Sequence, residues 1–200
     1  MPDFAFEDQL DGLIAGVDEV GRGPFAGPVV AAAVILDRTN VPEGMTDSKK
    51  LSLKSREALF DLIISSAMVG IGEASVPEID EFNILKATFL AMKRAVEALP
   101  QKPDHLLVDG NRDPKIHPST QLIVKGDNKS LSISAASIVA KVTRDRKMKA
   151  LSERYPHYGW ERNAGYGTAE HRKGLLQFGV TPQHRRSFAP IRKLLESTES

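Results

Sequence analysis

The sequence predicts an α/β domain: a mixed β-sheet flanked by helices, with a small helical extension at the C-terminal end. Three observations point there. Short apolar runs rich in β-branched residues alternate with segments whose apolar residues recur at spacings of three and four. A turn dense in Gly and Pro punctuates the first two runs. The last part of the chain breaks into helical pieces separated by Gly and Pro. Alternation of this kind builds a sheet covered by helices. The length of 200 residues, 41% of them hydrophobic, suits one domain over 1–200, of which roughly 168–200 is the helical extension.

The elements follow in order. Leu13 to Val17 reads as a buried strand, the turn runs from Gly21 to Pro28, and Val29 to Leu36 is a second central strand. Ser52 caps a helix running through Leu59, Leu62 and Ile63. Ala67 to Ser75 alternates as a third strand. Pro77 then opens one long amphipathic helix with Ile79, Phe82, Leu85, Phe89, Met92 and Val96 on a single face, ended by Pro100 and Pro103. His105 to Asp109 and Gln121 to Val124 are two more strands. Leu131 to Tyr155 is a long helix whose first half carries Ser134, Ala135, Ala136, Ser137 and Ala140, small enough for close approach to a sheet or a ligand. Helical pieces around Ala169–Phe178 and Pro190–Glu196 complete the extension.

Composition narrows the function. No run of about 18 apolar residues occurs, so no membrane span is expected. The first ten residues carry Asp3, Glu7 and Asp8, the wrong charge for a targeting segment. Without cysteine there are no disulfides, thiolate metal sites or cysteine nucleophiles, and a cytoplasmic protein is expected. The net charge of +1 conceals an asymmetry: residues 141–200 hold 13 Lys and Arg against 6 Asp and Glu, and the rest holds 14 against 20. A basic C-terminal third beside an acidic body suggests a face for a polyanion.

The carboxylates carry the chemical signal. Asp18 and Glu19 end the first strand, Asp109 ends another, and Asp127 follows the fifth in Lys125-Gly126-Asp127. Ligands in open α/β sheets bind at the carboxyl ends of strands. Carboxylates gathered there repel one another, and a hard divalent cation with oxygen ligands relieves that repulsion. Such ions activate water and stabilise the leaving oxygen in phosphodiester cleavage. Each acid alone could be solvated or cap a turn; Asp145 reads as a helix-surface residue and Asp113 as a turn residue. The turn Gly21-Arg22-Gly23 departs from the dinucleotide-binding spacing and precedes a strand, not a helix. Its glycines permit close backbone approach to a sugar hydroxyl or phosphate, with Arg22 adding charge.

Asp18 to Pro24 with Ala26 to Ala32, then Asp47-Ser48-Lys49-Lys50-Leu51-Ser52, Val108-Asp109-Gly110, Lys125-Gly126-Asp127, Ser134 to Asp145 and Gly165-Tyr166-Gly167-Thr168 with His171 together resemble the ribonuclease HII family. The blocks span residues 13 to about 188 in the family's order, and the Gly-Arg-Gly turn favours it over the ribonuclease HIII type. The resemblance implies a ribonuclease H-like fold and maps the four acids onto Asp18, Glu19, Asp109 and Asp127, as catalytic residues and ligands of Mg²⁺ or Mn²⁺. It implies hydrolysis of the RNA strand in RNA–DNA hybrids, and cutting on the 5′ side of a single ribonucleotide in duplex DNA. Its Gly-Arg-Gly turn, here Gly21, Arg22 and Gly23, senses the 2′-hydroxyl, and its tyrosine, here Tyr166, packs on the sugar at the junction. Gly167 stands where many relatives have Pro and is expected to loosen the backbone beside Tyr166.

Substrate contacts follow from the same blocks. The 2′-hydroxyl separates RNA from DNA, and backbone groups read it without reading the base. Lys49, Lys50, Lys125 and Lys129 are placed to contact phosphates, with Arg144, Arg146, Lys147 and Lys149 extending the grip. His171 lacks a partner at helical spacing for a zinc site. The expected partners are RNA–DNA hybrid and ribonucleotide-containing duplex DNA, no membrane, and a monomeric chain. Two other readings stand beside this one: a metal-dependent phosphoryl hydrolase for small substrates, and a non-catalytic nucleic-acid-binding domain.

Overall fold

The computed structural model describes residues 1–46, 48 and 51–198. Strands buried on both faces build the centre of its sheet. Strands β1 (Ile14–Val20), β2 (Val29–Ile35), β3 (Met68–Ala74), β4 (His105–Asp109) and β5 (Thr120–Ile123) lie in the order β3-β2-β1-β4-β5. The β1–β2 and β2–β3 pairs are antiparallel, whereas β1–β4 and β4–β5 are parallel, so the sheet is mixed. Two helical layers cover it. Ala15 and Val17 of β1, Ala31 and Ala33 of β2 and Leu106 and Val108 of β4 pack against Ala87, Ala91, Met92 and Ala95 of α3 (Ile84–Glu97). The opposite face, with Ala32 and Val34, packs against Leu59 and Ile63 of α1 (Leu53–Ser66) and against Ala135, Ala136 and Val139 of α4 (Leu131–Arg154). Strands buried on both faces read as continuous apolar runs, which is why β2 is so plain in the sequence.

The central strand and the long helix touch through a glycine. A Cβ on Gly16 would stand 2.1 Å from the Ser132 carbonyl carbon, so the start of α4 lies directly on β1. Ser130 caps that helix by accepting the Ile133 N–H, and the buried Glu7 carboxylate accepts the Ser130 hydroxyl and the Ser132 N–H. The small residues Ala135, Ala136 and Ala140, expected in the first half of this helix, pack in the cluster with Ala32 and Val34 of β2.

One element differs from the sequence expectation. The amphipathic stretch beginning near Pro77 is two helices, α2 (Val76–Phe82) and α3, divided at Asn83. Asn83 takes φ +71°, and its Oδ1 accepts the N–H groups of Leu85 and Lys86. A short amide side chain tolerates that backbone and caps the next helix, so the apolar periodicity continues through a true break. The α2 start carries a capping box between Ser75 and Glu78.

Beyond α4 the chain forms the short α5 (Trp160–Asn163), then α6 (Ala169–Phe178) and α7 (Ala189–Thr198). These gather a separate apolar cluster with Ala26, Met148, Tyr158, Trp160, Leu175 and Ile191. That cluster seats the extension on the turn between β1 and β2. No helix among the described residues is long and apolar enough to cross a membrane.

Gly16→Ala forces the β1–α4 contact apart and is expected to lower stability by about 1–3 kcal/mol. Chemical denaturation checks it, and an unchanged midpoint would show that the helix moves away freely.

Candidate active site

Parallel pairing brings the acids together. The β1–β4 register runs from Ile14↔His105 to Val17↔Val108, and one further step sets Asp18 level with Asp109. Both then point to the α4 side of the sheet, while Glu19, one residue on, points to the α3 side. Asp18 is only 6% exposed. Burial, then the charges of Glu19 and Asp109, push its carboxyl well above the ordinary range, against hydrogen bonds from Ser137 and from the Glu19 N–H, the latter at 2.7 Å. Burial also raises Glu19, against the Arg22 guanidinium, which reaches Glu19 Oε1 at 3.2 Å. Asp109 Oδ1 accepts the Gly126 N–H at 2.7 Å. That bond fixes the 3₁₀ turn Gly126–Asn128, which carries the buried Asp127, next to Asp109. Asp127 Oδ1 accepts the Asn128 amide at 2.9 Å.

Thus Asp18, Glu19 and Asp109 lie in one another's electrostatic field, and Asp127 is joined to them through the backbone beside Asp109. Among the described residues, no three Asp, Glu or His side chains already stand in an arrangement that encloses a metal ion. The donor chemistry still suits one: hard carboxylate oxygens, with Asp18 and Glu19 destabilised as anions by burial and by neighbouring charge. A cleft of about 130 Å³ opens here between Glu19, Arg22 and Asp109 on one side and Leu85, Thr88, Phe89 and Met92 of α3 on the other. A larger cavity, about 620 Å³, lies at the opposite end of the sheet, where Ile14, Ile35 and Met68 line it.

Ser48 and Ser137 are site residues that sequence reasoning left unassigned. Ser48 Oγ lies 3.0 Å from Ser137 Oγ, and Ser137 is the residue that bonds Asp18. Ser48 therefore lies beside the acids. Lys49, Lys50 and Asp47 lie outside the described residues.

The turn after β1 rests on two buried guanidiniums. Arg185 donates to the carbonyls of Gly21 (2.5 Å), Arg22 (3.0 Å), Gly27 (2.8 Å) and Pro28 (3.3 Å). Arg144 donates to those of Ala26 (3.0 Å), Pro28 (2.9 Å) and Ala164 (2.8 Å). Both arginines are fully buried, and neither makes an ion pair among the described residues. Burial draws Arg144 down to about 10 and Arg185 to about 9, so both stay charged at neutral pH. Gly21, at φ +94°, makes the arrangement possible, because a Cβ there would stand 2.1 Å from Arg144 Nε. Arg22 and Gly23 are exposed at the crest.

These facts correct the phosphate grip expected along α4. Arg144 faces inward and holds backbone. Arg146 pairs with Glu57 and Asp61, and Lys147 with Glu73. Lys125, Lys129 and Lys149 are exposed. Asp145 pairs with Lys141 at 2.7 Å, and Asp113 accepts the Lys115 N–H in a turn.

Tyr166 is 47% exposed, and its ring faces the same turn: a Cβ on Gly23 would lie 3.4 Å from Tyr166 Cε1. The Phe25 N–H donates to the Gly165 carbonyl at 2.8 Å, joining the two loops. Gly167 is closely packed in this loop. A Cβ there would stand 2.1 Å from the Phe25 ring, and the Tyr166 carbonyl accepts both the Thr168 N–H and His171 Nδ1.

His171 is not solitary. Donation to the Tyr166 carbonyl (2.9 Å) puts its proton on Nδ1, which leaves Nε2 to accept Trp160 Nε1–H (3.2 Å) and His184 Nε2–H (3.0 Å). His184 Nδ1 in turn accepts the Thr181 N–H at 2.9 Å. The two rings are buried and neutral.

Residues 15–191 match the family profile described as Ribonuclease HII. The chain is similar to the Ribonuclease HII of Paramagnetospirillum magneticum, 57% identical over 195 residues that cover 96% of this chain and 97% of that one. It is similar to the Ribonuclease HII of Magnetococcus marinus at 59% over 185 residues, covering 91% and 87%. Among solved structures it resembles the ribonuclease H2 of Pyrococcus horikoshii OT3, with a TM-score of 0.78 at 31% identity over 94% of this chain and 99% of that one.

The buried histidine pair has a pH consequence. Burial and the neighbouring His171 hold His184 down to about 3. A histidine neutral when folded and protonated when unfolded contributes its full stability above about pH 6.5 and loses it as pH falls toward 3. The melting temperature of the wild-type chain should therefore fall more steeply from pH 7 to pH 5 than that of His184→Gln. Parallel slopes in scanning calorimetry would remove His184 from the acid response.

Proposed function

Since the chain belongs to the ribonuclease HII family and is a ribonuclease H endonuclease, we propose that Asp18, Glu19, Asp109 and Asp127 form its catalytic centre, with Mg²⁺ or Mn²⁺ as cofactor. The observation that carries this reading is the set of buried, mutually repelling carboxylates at the adjacent carboxyl ends of β1 and β4, beside an exposed glycine turn. The ribonuclease HII enzymes are divalent-metal dependent, and carboxylate oxygens are the donors such ions take. When bound, a divalent cation supplies charge neutralisation and polarisation of the phosphodiester.

The chain's own residues do the rest. Asp18, Glu19 and Asp109 hold negative charge at the sheet's edge, with Ser137 and the Gly126 N–H fixing the Asp18 and Asp109 carboxylates. Asp127 closes the centre from the turn after β5. The turn Gly21-Arg22-Gly23 reads the 2′-hydroxyl through backbone groups, so the base is not selected. Arg22, while bonded to Glu19, offers its exposed guanidinium to a phosphate near the acids. Tyr166, facing Gly23, packs on the sugar at the RNA–DNA junction. Lys49, Lys125 and Lys129 contact phosphates and make binding fall with salt.

On this reading the substrates are RNA–DNA hybrid and duplex DNA with an embedded ribonucleotide. The cut falls on the ribonucleotide's 5′ side and leaves a 3′-hydroxyl and a 5′-phosphate. Removal of ribonucleotides left by DNA replication is the repair role it implies. Hydrolysis of small phosphoryl substrates is not favoured, because residues 15–191 match an endonuclease family.

A labelled duplex with one ribonucleotide should be cut 5′ to it with Mg²⁺ or Mn²⁺ and remain whole in EDTA. Equal cutting of an all-DNA duplex would refute the specificity. Asp109→Asn keeps an acceptor for the Gly126 N–H but loses a charge, and it should lower kcat by at least about 100-fold while duplex binding is retained. Gel-shift and turnover assays check both halves, and wild-type turnover would take Asp109 out of the centre.

A further inference from the structure

Two consecutive residues of the C-terminal extension reach both elements assigned above to reading the ribonucleotide. Arg185 spans the carbonyls of Gly21, Arg22, Gly27 and Pro28. His184 donates to His171, which donates to the Tyr166 carbonyl. The segment is stitched to the turn by backbone as well: the Arg185 N–H donates to the Phe25 carbonyl at 2.8 Å, the Gly27 N–H to the Gln183 carbonyl at 2.9 Å, and Ala26 and His184 form an antiparallel bridge. Arg144 closes the triangle, holding Ala26 and Pro28 on one side and Ala164 of the tyrosine loop on the other.

We propose that His184 and Arg185 are positioning residues that lock the Gly21–Gly23 turn to the Tyr166 loop, so that 2′-hydroxyl sensing and junction sensing share one fixed geometry. The inference rests on the proposed reading of that turn and of Tyr166. Burying a guanidinium without a carboxylate costs desolvation that packing alone does not require. The compensation is a set of carbonyls, all on the turn or its flanks. An Arg fork spreads its five N–H donors over a wide plane and so reaches carbonyls on separate residues, whereas a lysine ammonium concentrates three donors at one point. The histidine pair works in the same direction: its proton order is set from the Thr181 N–H at one end to the Tyr166 carbonyl at the other, so each ring has one orientation.

The test measures kcat/KM for two substrates, a DNA duplex with a single ribonucleotide and a long RNA–DNA hybrid. His184→Phe keeps a ring against Tyr158 and Trp160 but cannot donate to His171. It is expected to lower the single-ribonucleotide preference by about 10-fold or more, since misplacement by about 1 Å is costly to catalysis. His184→Gln, which can donate and accept, is expected to restore it. On a Tyr166→Ala background, His184→Phe should add less than about 2-fold, because the two changes act through one group. Equal loss on both substrates by a folded His184→Phe, failure of Gln to restore, or full loss on top of Tyr166→Ala overturns the lock.

If the Phe variant does not melt cooperatively, Arg185→Lys decides. It keeps the charge but not the four-carbonyl span, and it should lower discrimination of a ribonucleotide against DNA by about 10-fold. Unchanged discrimination in a folded Arg185→Lys overturns the proposal. Tyr166→Ala that leaves the preference intact overturns the reading of Tyr166 and the lock with it. A damaging Tyr166→Ala beside a harmless His184→Phe overturns the lock alone.

Discussion

Charge taken out of water governs this molecule. On the β1 side of one short turn, Asp18, Glu19 and Asp109 crowd negative charge into a region where burial disfavours it. On the other side, Arg144 and Arg185 bring two positive charges inside, received by backbone carbonyls and, for Arg185, by the Phe188 ring as well. Among the described residues no ion pair joins the two sets. Burial raises the cost of both kinds of charge, and the guanidiniums offset it by gripping main chain.

The sheet creates the first set. Parallel pairing of β1 with β4 places their carboxyl ends side by side, and the pleat selects which acids share a face. Antiparallel β2 then has to leave from the same end, so the chain must reverse there through Gly21 to Pro28. The absence of a side chain at Gly21 admits Arg144 beneath that reversal. Acid cluster, tight turn and buried arginine therefore follow from one topological choice, a parallel neighbour on one side of β1 and an antiparallel neighbour on the other.

Much of this was legible in the residues. Strand ends bearing Asp18, Glu19 and Asp109 stood out because apolar runs preceded them, and the small residues of α4 pointed to its close approach to a sheet or a ligand. What escaped reading shares a physical cause. Arg144 resembled a surface cation because sequence counts charge and not burial, and its receiving carbonyls belong to residues far along the chain. His184 and Arg185 raised no signal, since their partners Gly21, Phe25 and His171 are distant or lie in another element. Asn83 hid its break within a periodicity that resumes unbroken after it. Local pattern reveals local structure, and hydrogen bonds from side chain to remote backbone leave almost no trace in it.

The contact between Arg185 and Gly21 bridges 164 positions of sequence. A chain emerging from the ribosome displays the turn early, and the guanidinium that receives its carbonyls is made near the end of synthesis. Until then the glycines have water for partners and no fixed shape. Loop closure over so long a span is slow to find, and it comes late among the events of folding. The β1–β2 hairpin and the sheet can assemble beforehand, so the strand ends that carry Asp18, Glu19 and Asp109 can be in place before the turn beside them is held.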